Sequence, residues 1–155
     1  MTCQPTSTEN KGTTPGLNFE TVATPAPFFA GDFDLSRFDC ILLNTSGGKD
    51  SQATMGQVLA SVQAQGYQGK IMAVHADLGR MEWAGSWELV QAQCAHYGVE
   101  VVKVKRDQDL LEQVKERGMW PSSAARYCTS DHKRDQIQKV VTQLTRDLKA
   151  QGIAH

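Results

Sequence analysis

Three short apolar runs govern what this chain can become: "FDCILLNT" at 38–45, "KIMAVHA" at 70–76 and "VEVVKVKR" at 99–106. The first two are apolar with little alternation, the pattern of strands covered on both faces in a parallel sheet. The third alternates toward its end, which suits a sheet edge. Between the runs the period changes to 3.6. Met55, Val58, Leu59 and Val62 fall at i, i+3, i+4 and i+7, predicting a helix over 51–65 that stops at Gly66. "SWELVQAQCAHYG" predicts a second helix, with Ser86 as N-cap, Trp87, Val90 and Cys94 inward, and Gly98 as stop. A third opens at Asp109, with Glu112 three residues on to complete a capping box, and runs to about Arg117. After a loop, "GMWPSSAARYCTS", a last helix carries Ile137, Val140, Val141, Leu144 and Leu148 as one apolar stripe. Strands alternating with helices imply an α/β fold: a Rossmann-like, three-layer α/β/α arrangement with a parallel sheet and right-handed crossovers.

A chain of 155 residues has room for one such domain. Residues 1–32 are rich in Thr and Pro and show no sustained period; they are read as a mobile N-terminal arm, and the domain as spanning 33–155. No apolar stretch approaches the roughly 20 residues that cross a bilayer. The N-terminus also lacks the basic region and apolar core of a secretory signal, so the expected location is cytoplasmic, with no membrane partner. Cys3, Cys40, Cys94 and Cys128 lie far apart with no CxxC pair, which argues for reduced thiols and against a zinc site or iron–sulfur cluster built from this chain alone. A net charge of -1 gives no global sign of polyanion binding, and nine Lys or Arg against six Asp or Glu over 101–139 point only weakly to nucleic acid.

The stretch "NTSGGKDS" at 44–51 leaves the first strand and enters the first helix. In parallel sheets ligands bind beyond the carboxyl ends of the strands, where a helix N-terminus offers unpaired N–H groups and partial positive charge. Gly47 and Gly48 allow positive φ and close backbone approach to an anion, Ser46 and Ser51 add hydroxyls, and Lys49 adds a full charge. This is the chemistry of a phosphate cradle. It is not a Walker A loop, because Asp50 rather than Ser or Thr follows Lys49, and it is not GxGxxG. The plain alternative is a Gly-rich turn with Asp50 as a cap.

"SGGKDS" resembles the SGGxDS signature of the PP-loop, or adenine nucleotide alpha hydrolase (HUP-type), superfamily, the ATP pyrophosphatases. "HADLG" at 75–79 resembles the Asp-Thr-Gly turn beside the adenosine in members related to phosphoadenylylsulfate (PAPS) reductase, with Leu78 in place of the threonine. "RYCTSDHKR" at 126–134 is similar to the Arg-x-Cys-Thr-x-x-x-Lys segment of the PAPS reductase-like family. The resemblance spans about residues 37–145. It implies an adenine nucleotide, ATP or PAPS, as ligand, with Mg²⁺ accompanying ATP and no metal site of the protein's own. It implies phosphate or nucleotide contacts from Ser46, Gly47, Gly48, Lys49, Asp50, Ser51, Asp77, Gly79, Arg126 and Lys133, and catalytic roles for Lys49, Asp50 and Cys128.

Each of these residues has a plainer reading as well. Asp77 and Gly79 are ordinary turn residues, and His75 reads as a strand histidine with a local partner. Arg126, His132, Lys133 and Arg134 can clamp phosphate or sulfate or form a solvated basic turn. Cys128 fits a reactive thiolate, a cluster ligand or an inert buried thiol. Trp83, Trp87 and Trp120 can stack on adenine or pack in the core, and Trp120 reads first as a loop anchor. The resemblance further implies a strand after the last helix, which the 155 residues do not contain, so the domain is expected to lack its last strands. The reductases' Glu-Cys-Gly-x-His segment has no match either. The intact loop favours ATP chemistry: adenylyl transfer with pyrophosphate release, in sulfur metabolism or sulfur transfer, with a sulfur donor protein as a further partner. The alternative is a non-catalytic nucleotide-binding module or the subunit of a sulfur-transfer complex. An open first strand would call for a second copy or a partner chain along its edge.

Overall fold

The structure, a computed structural model, describes residues 34–153; the arm expected over 1–32 lies outside the described residues. Three parallel strands, β1 (Cys40–Asn44), β2 (Lys70–Asp77) and β3 (Glu100–Lys105), lie in the order β1-β2-β3. Cys40 pairs with Lys70 and Asn44 with Val74, while Met72 pairs with Glu100 and Asp77 with Lys105. Helix α1 (Lys49–Gln65) joins β1 to β2, and α2 (Ser86–His96) joins β2 to β3. Beyond β3 come α3 (Leu110–Arg117), a short α4 (Tyr127–Thr129), a π turn (Ser130–Arg134) and α5 (Asp135–Ala150). A parallel sheet flanked by helices is the arrangement of a Rossmann-like α/β fold.

Alternation along the strands sorts the side chains by face. Leu43 and Ala73 join Met55 and Leu59 of α1, Val90 and Cys94 of α2, and Val99 in one buried cluster. Met72, Val74 and Ala76, on the other face of β2, are buried too. Helix α5 and the π turn both touch β2. The apolar stripe of α5 is only partly covered: Leu148 is buried, whereas Ile137, Val140, Val141 and Leu144 stay half-buried.

Local chemistry sets the helix ends, and two differ from the sequence reading. Helix α1 begins at Lys49 rather than at 51, because Gly48 is its N-cap, and it ends at Gly66, left-handed at φ 60°. Helix α2 is capped by Gly85 at φ 85°, not by Ser86, which already belongs to the first turn; the Ser86 amide donates to the Trp83 carbonyl to close the turn. The capping box at α3 is present as expected, with the Asp109 carboxylate on the Glu112 amide and the Glu112 carboxylate on the Asp109 amide. The loop expected through 130 ends earlier. Buried Tyr127 starts helical structure, its hydroxyl donating to the Met119 carbonyl and its ring lying 4.6 Å beneath the Arg117 guanidinium.

Candidate functional site

The segment after β1 is held from three sides. The Thr45 amide donates to the Val74 carbonyl, extending the β1–β2 ladder by one bond. Buried His75 of β2 places Nδ1 3.0 Å from the Thr45 carbonyl oxygen; that oxygen can only accept, so Nδ1 carries the proton. The Gly47 carbonyl accepts from Gln93 Nε2 of α2 at 3.0 Å, and the Gly48 carbonyl accepts from the Gln52 amide and from Ser51 Oγ. In a planar trans peptide the C=O and the following N–H point in opposite directions. Carbonyls engaged with the protein at 45, 47 and 48 therefore turn the amides of Ser46, Gly48 and Lys49 the other way.

Among the described residues those amides have only weak partners or none. Ser46 N–H reaches Ser51 Oγ at 3.3 Å and Gly48 N–H reaches Ser46 Oγ at 3.4 Å. The first-turn amides of Lys49, Asp50 and Ser51 have no carbonyl four residues back within the helix. Thr45, Ser46 and Ser51 hydroxyls gather around one another at 3.4 Å. Lys49 and Asp50 are exposed and form no ion pair among the described residues. Gly47 meets the expectation of positive φ, at 76°; Gly48 does not, being extended at φ -73°. Gly47 is confined as well as left-handed: a Cβ there would lie 3.2 Å from the Ser86 carbonyl oxygen and 3.2 Å from Val90 Cγ2.

The ends of β2 and β3 lie beside this loop at the same edge of the sheet. Asp77 Oδ1 accepts the Gly79 amide at 2.7 Å, and Oδ2 pairs with Lys103 Nζ at 3.0 Å. Burial works to raise the Asp77 carboxyl, but the Gly79 amide and the Lys103 ammonium outweigh it and hold it below its ordinary value. Lys103 also sits 5.1 Å over the Trp87 ring. At Gly79, φ is 68° and a Cβ would fall 2.9 Å from Asp109 Cβ, so this position requires glycine. Next to it the Arg80 guanidinium forks onto Asp109 at 2.6 and 3.0 Å and lowers that carboxyl to about 2.

Part of the 126–134 segment borders a separate cleft of about 490 Å³, lined among others by Arg117, Arg126, Tyr127, Thr129, Asp131 and Arg134. Asp131 ties it to the carboxyl end of β3 through Arg106 at 3.3 Å, and it also accepts from Gln113 and Arg117. Arg126 and Lys133 make no hydrogen bond or ion pair with the loop among the described residues. His132 does not join the basic cluster: it is buried, with Nε2 2.8 Å from Gln113 Oε1, and burial followed by Arg106 pushes its imidazole below its ordinary value. Cys128 is a half-buried free thiol 3.8 Å from Thr129 Oγ1. Cys94 is buried in the core as read, Cys40 is half-buried, and Cys3 lies outside the described residues. Trp83 and Trp120 are exposed, while Trp87 packs against the core.

Thus 46–51 form one loop and the first turn of α1, Asp77 and Gly79 stand at the neighbouring strand end, and Arg126 lines the second cleft, whereas Cys128 and Lys133 lie on the same segment but outside its lining. Sequence patterning does not single out Thr45 or Gln93. The signal for Gln93 is its spacing: it falls three residues after inward Val90, on the buried face of α2, where a polar side chain needs a partner. No group of three or more His, Cys, Asp or Glu among the described residues could hold a metal ion. Comparison with family models, with curated proteins and with solved structures finds no match to this chain.

Proposed function

We propose that this chain is a PAPS reductase-like PP-loop protein of the adenine nucleotide alpha hydrolase type, binding the phosphates of ATP or PAPS at residues 46–51. The observation that carries the reading is the orientation of the loop: its carbonyls at 45, 47 and 48 are consumed by His75, Gln93, Gln52 and Ser51. Its amides at 46, 48 and 49, with the Ser46 hydroxyl, are left for an anion at the N-terminus of α1. ATP is the first choice of ligand, because Lys49 is exposed, has no ion-pair partner among the described residues, and would supply a full charge for the β and γ phosphates. Mg²⁺ bound to ATP neutralises phosphate charge. It commonly takes one or two carboxylates besides phosphate oxygens and water, and Asp50, exposed in the first turn of α1, would offer one.

The reaction this suits is adenylyl transfer. An acceptor oxygen attacks the α phosphorus, and the loop amides with Lys49 stabilise charge developing on the departing pyrophosphate. Arg126, which lines the cleft, would bind a second anionic group there, while Lys133 and Cys128 on the same segment would add charge and handle sulfur. A second reading, a nucleotide-binding module without chemistry, is favoured by the lack of a hydrogen bond or ion pair joining Arg126 or Lys133 to the loop among the described residues. Calorimetric titration with MgATP, and in parallel with PAPS, tests the binding, with Lys49→Ala as control. Heat with MgATP that disappears in the variant supports the ATP reading, and preference for PAPS moves the ligand to the reductase type. Silence for both in the full chain overturns the proposal. A pyrophosphate-release assay separates the enzyme from the module.

A further inference from the structure

Gln93 is a polar side chain on the core face of α2, only 7% exposed, and its carboxamide spends its donors on two other elements. Nε2 lies 3.0 Å from the Gly47 carbonyl oxygen and 3.4 Å from Gln52 Oε1 on α1. Its orientation is fixed by chemistry: a flipped amide would set Oε1 against the Gly47 carbonyl oxygen, which can only accept. In the orientation that remains, Oε1 is buried with no partner among the described residues. A side chain that leaves an acceptor unpaired while its NH₂ grips a loop carbonyl is poorly explained by packing alone. A Cβ at Gly47 would run into the Ser86 carbonyl and Val90, which makes α2 the rear wall of the loop.

We propose that Gln93 is a positioning residue for the phosphate loop: by holding the Gly47 carbonyl toward α2 it aims the Gly48 N–H at the bound phosphate. This rests on the reading of residues 46–51 as a phosphate site. The planar Gly47–Gly48 peptide transmits the effect, since turning its carbonyl inward turns its N–H outward. Among the described residues the Gly48 N–H has only the 3.4 Å contact with Ser46 Oγ, which a phosphate oxygen readily replaces. Gln93 itself touches no ligand.

The test uses the full chain, the variants Gln93→Leu and Gln93→Glu, the ¹⁵N–¹H signal of Gly48, and calorimetric titration of MgATP. Gln93→Leu is expected to shift and broaden the Gly48 amide signal and to weaken MgATP about tenfold or more. Gln93→Glu supplies a readout that packing alone would not move. As a carboxylate it repels the Gly47 carbonyl; as a buried acid, with its pKa raised above the ordinary 4.3 or so, it regains a donor when protonated. Its Gly48 signal and its affinity, each relative to wild type at the same pH, are expected to recover between pH 8 and pH 5.5. A Gly48 amide unmoved in Gln93→Leu, or a Gln93→Glu defect that ignores pH, overturns the proposal. Gly48 shifts as expected in a chain that gives no MgATP heat would uphold the grip of Gln93 on the loop and overturn the ATP reading instead.

Discussion

His75 and Thr45, thirty residues apart, are joined by a hydrogen bond of 3.0 Å from an imidazole Nδ1–H to the last carbonyl before the phosphate loop. The bond is buried, and it fixes the direction in which the chain leaves β1. His75→Leu keeps most of the bulk but leaves the Thr45 oxygen unsatisfied in the core, and should destabilise the fold by about 1–3 kcal/mol. Urea unfolding would show it as a lower midpoint at unchanged slope. A midpoint equal to wild type would mean that the bond contributes nothing net.

The alternation of apolar runs with 3.6-period segments is enough to read β1, β2 and β3, their parallel direction and the helices between them, though not the order in which they pair. Strand and helix periods are properties of the sequence itself. The capping box of Asp109 and Glu112 and the stop at Gly66 were legible because their geometry is local. The cap of α2 was not: Ser86 is the better cap by residue type, but Gly85 at φ 85° turns the chain one residue earlier. The role of Gln93 depends on a contact across 46 residues, which no local pattern encodes. His132 misled for a related reason, since it sits among basic residues in sequence while its ring faces Gln113 in the interior.

Lys49 is exposed in the first turn of α1 and has no ion-pair partner among the described residues, so removing it should leave the fold intact. Lys49→Ala is expected to keep the wild-type unfolding midpoint within about 0.5 kcal/mol, as surface substitutions generally do. Any pyrophosphate release should fall about 10²- to 10³-fold, the usual effect of losing one preorganised charge donor. Stopped-assay rates in the variant equal to those of wild type would take the loop out of the mechanism.

Gly47 combines a φ of 76° with a Cβ position 3.2 Å from a backbone oxygen and from a Val90 methyl. Gly47→Ala meets both the left-handed penalty and a contact that the Ser86 carbonyl cannot easily relieve. The expected loss is about 1–3 kcal/mol of stability together with weaker anion binding. Gly48→Ala is the matched control, because Gly48 is extended and its nearest neighbour there is the Ser46 hydroxyl at 3.4 Å. Equal midpoints for the two variants would show that Gly47 is not confined as described.

His132 supplies the pH dependence. Burial and then Arg106 push its imidazole below the ordinary value, while Asp131 and Asp109 pull weakly the other way. The neutral ring is the form the fold holds, with Nε2 on Gln113. In the unfolded chain a histidine takes up its proton near pH 6.5, so the unfolded state binds more protons as the pH falls below that value. The stabilisation by this residue is therefore complete above about pH 6.5 and is lost as the pH drops from there toward the lower value in the fold. Urea midpoints of wild type should fall between pH 7 and pH 5, and the fall should be shallower in His132→Gln. Parallel losses in the two proteins would assign the acid sensitivity to other groups and return His132 to a role in packing alone.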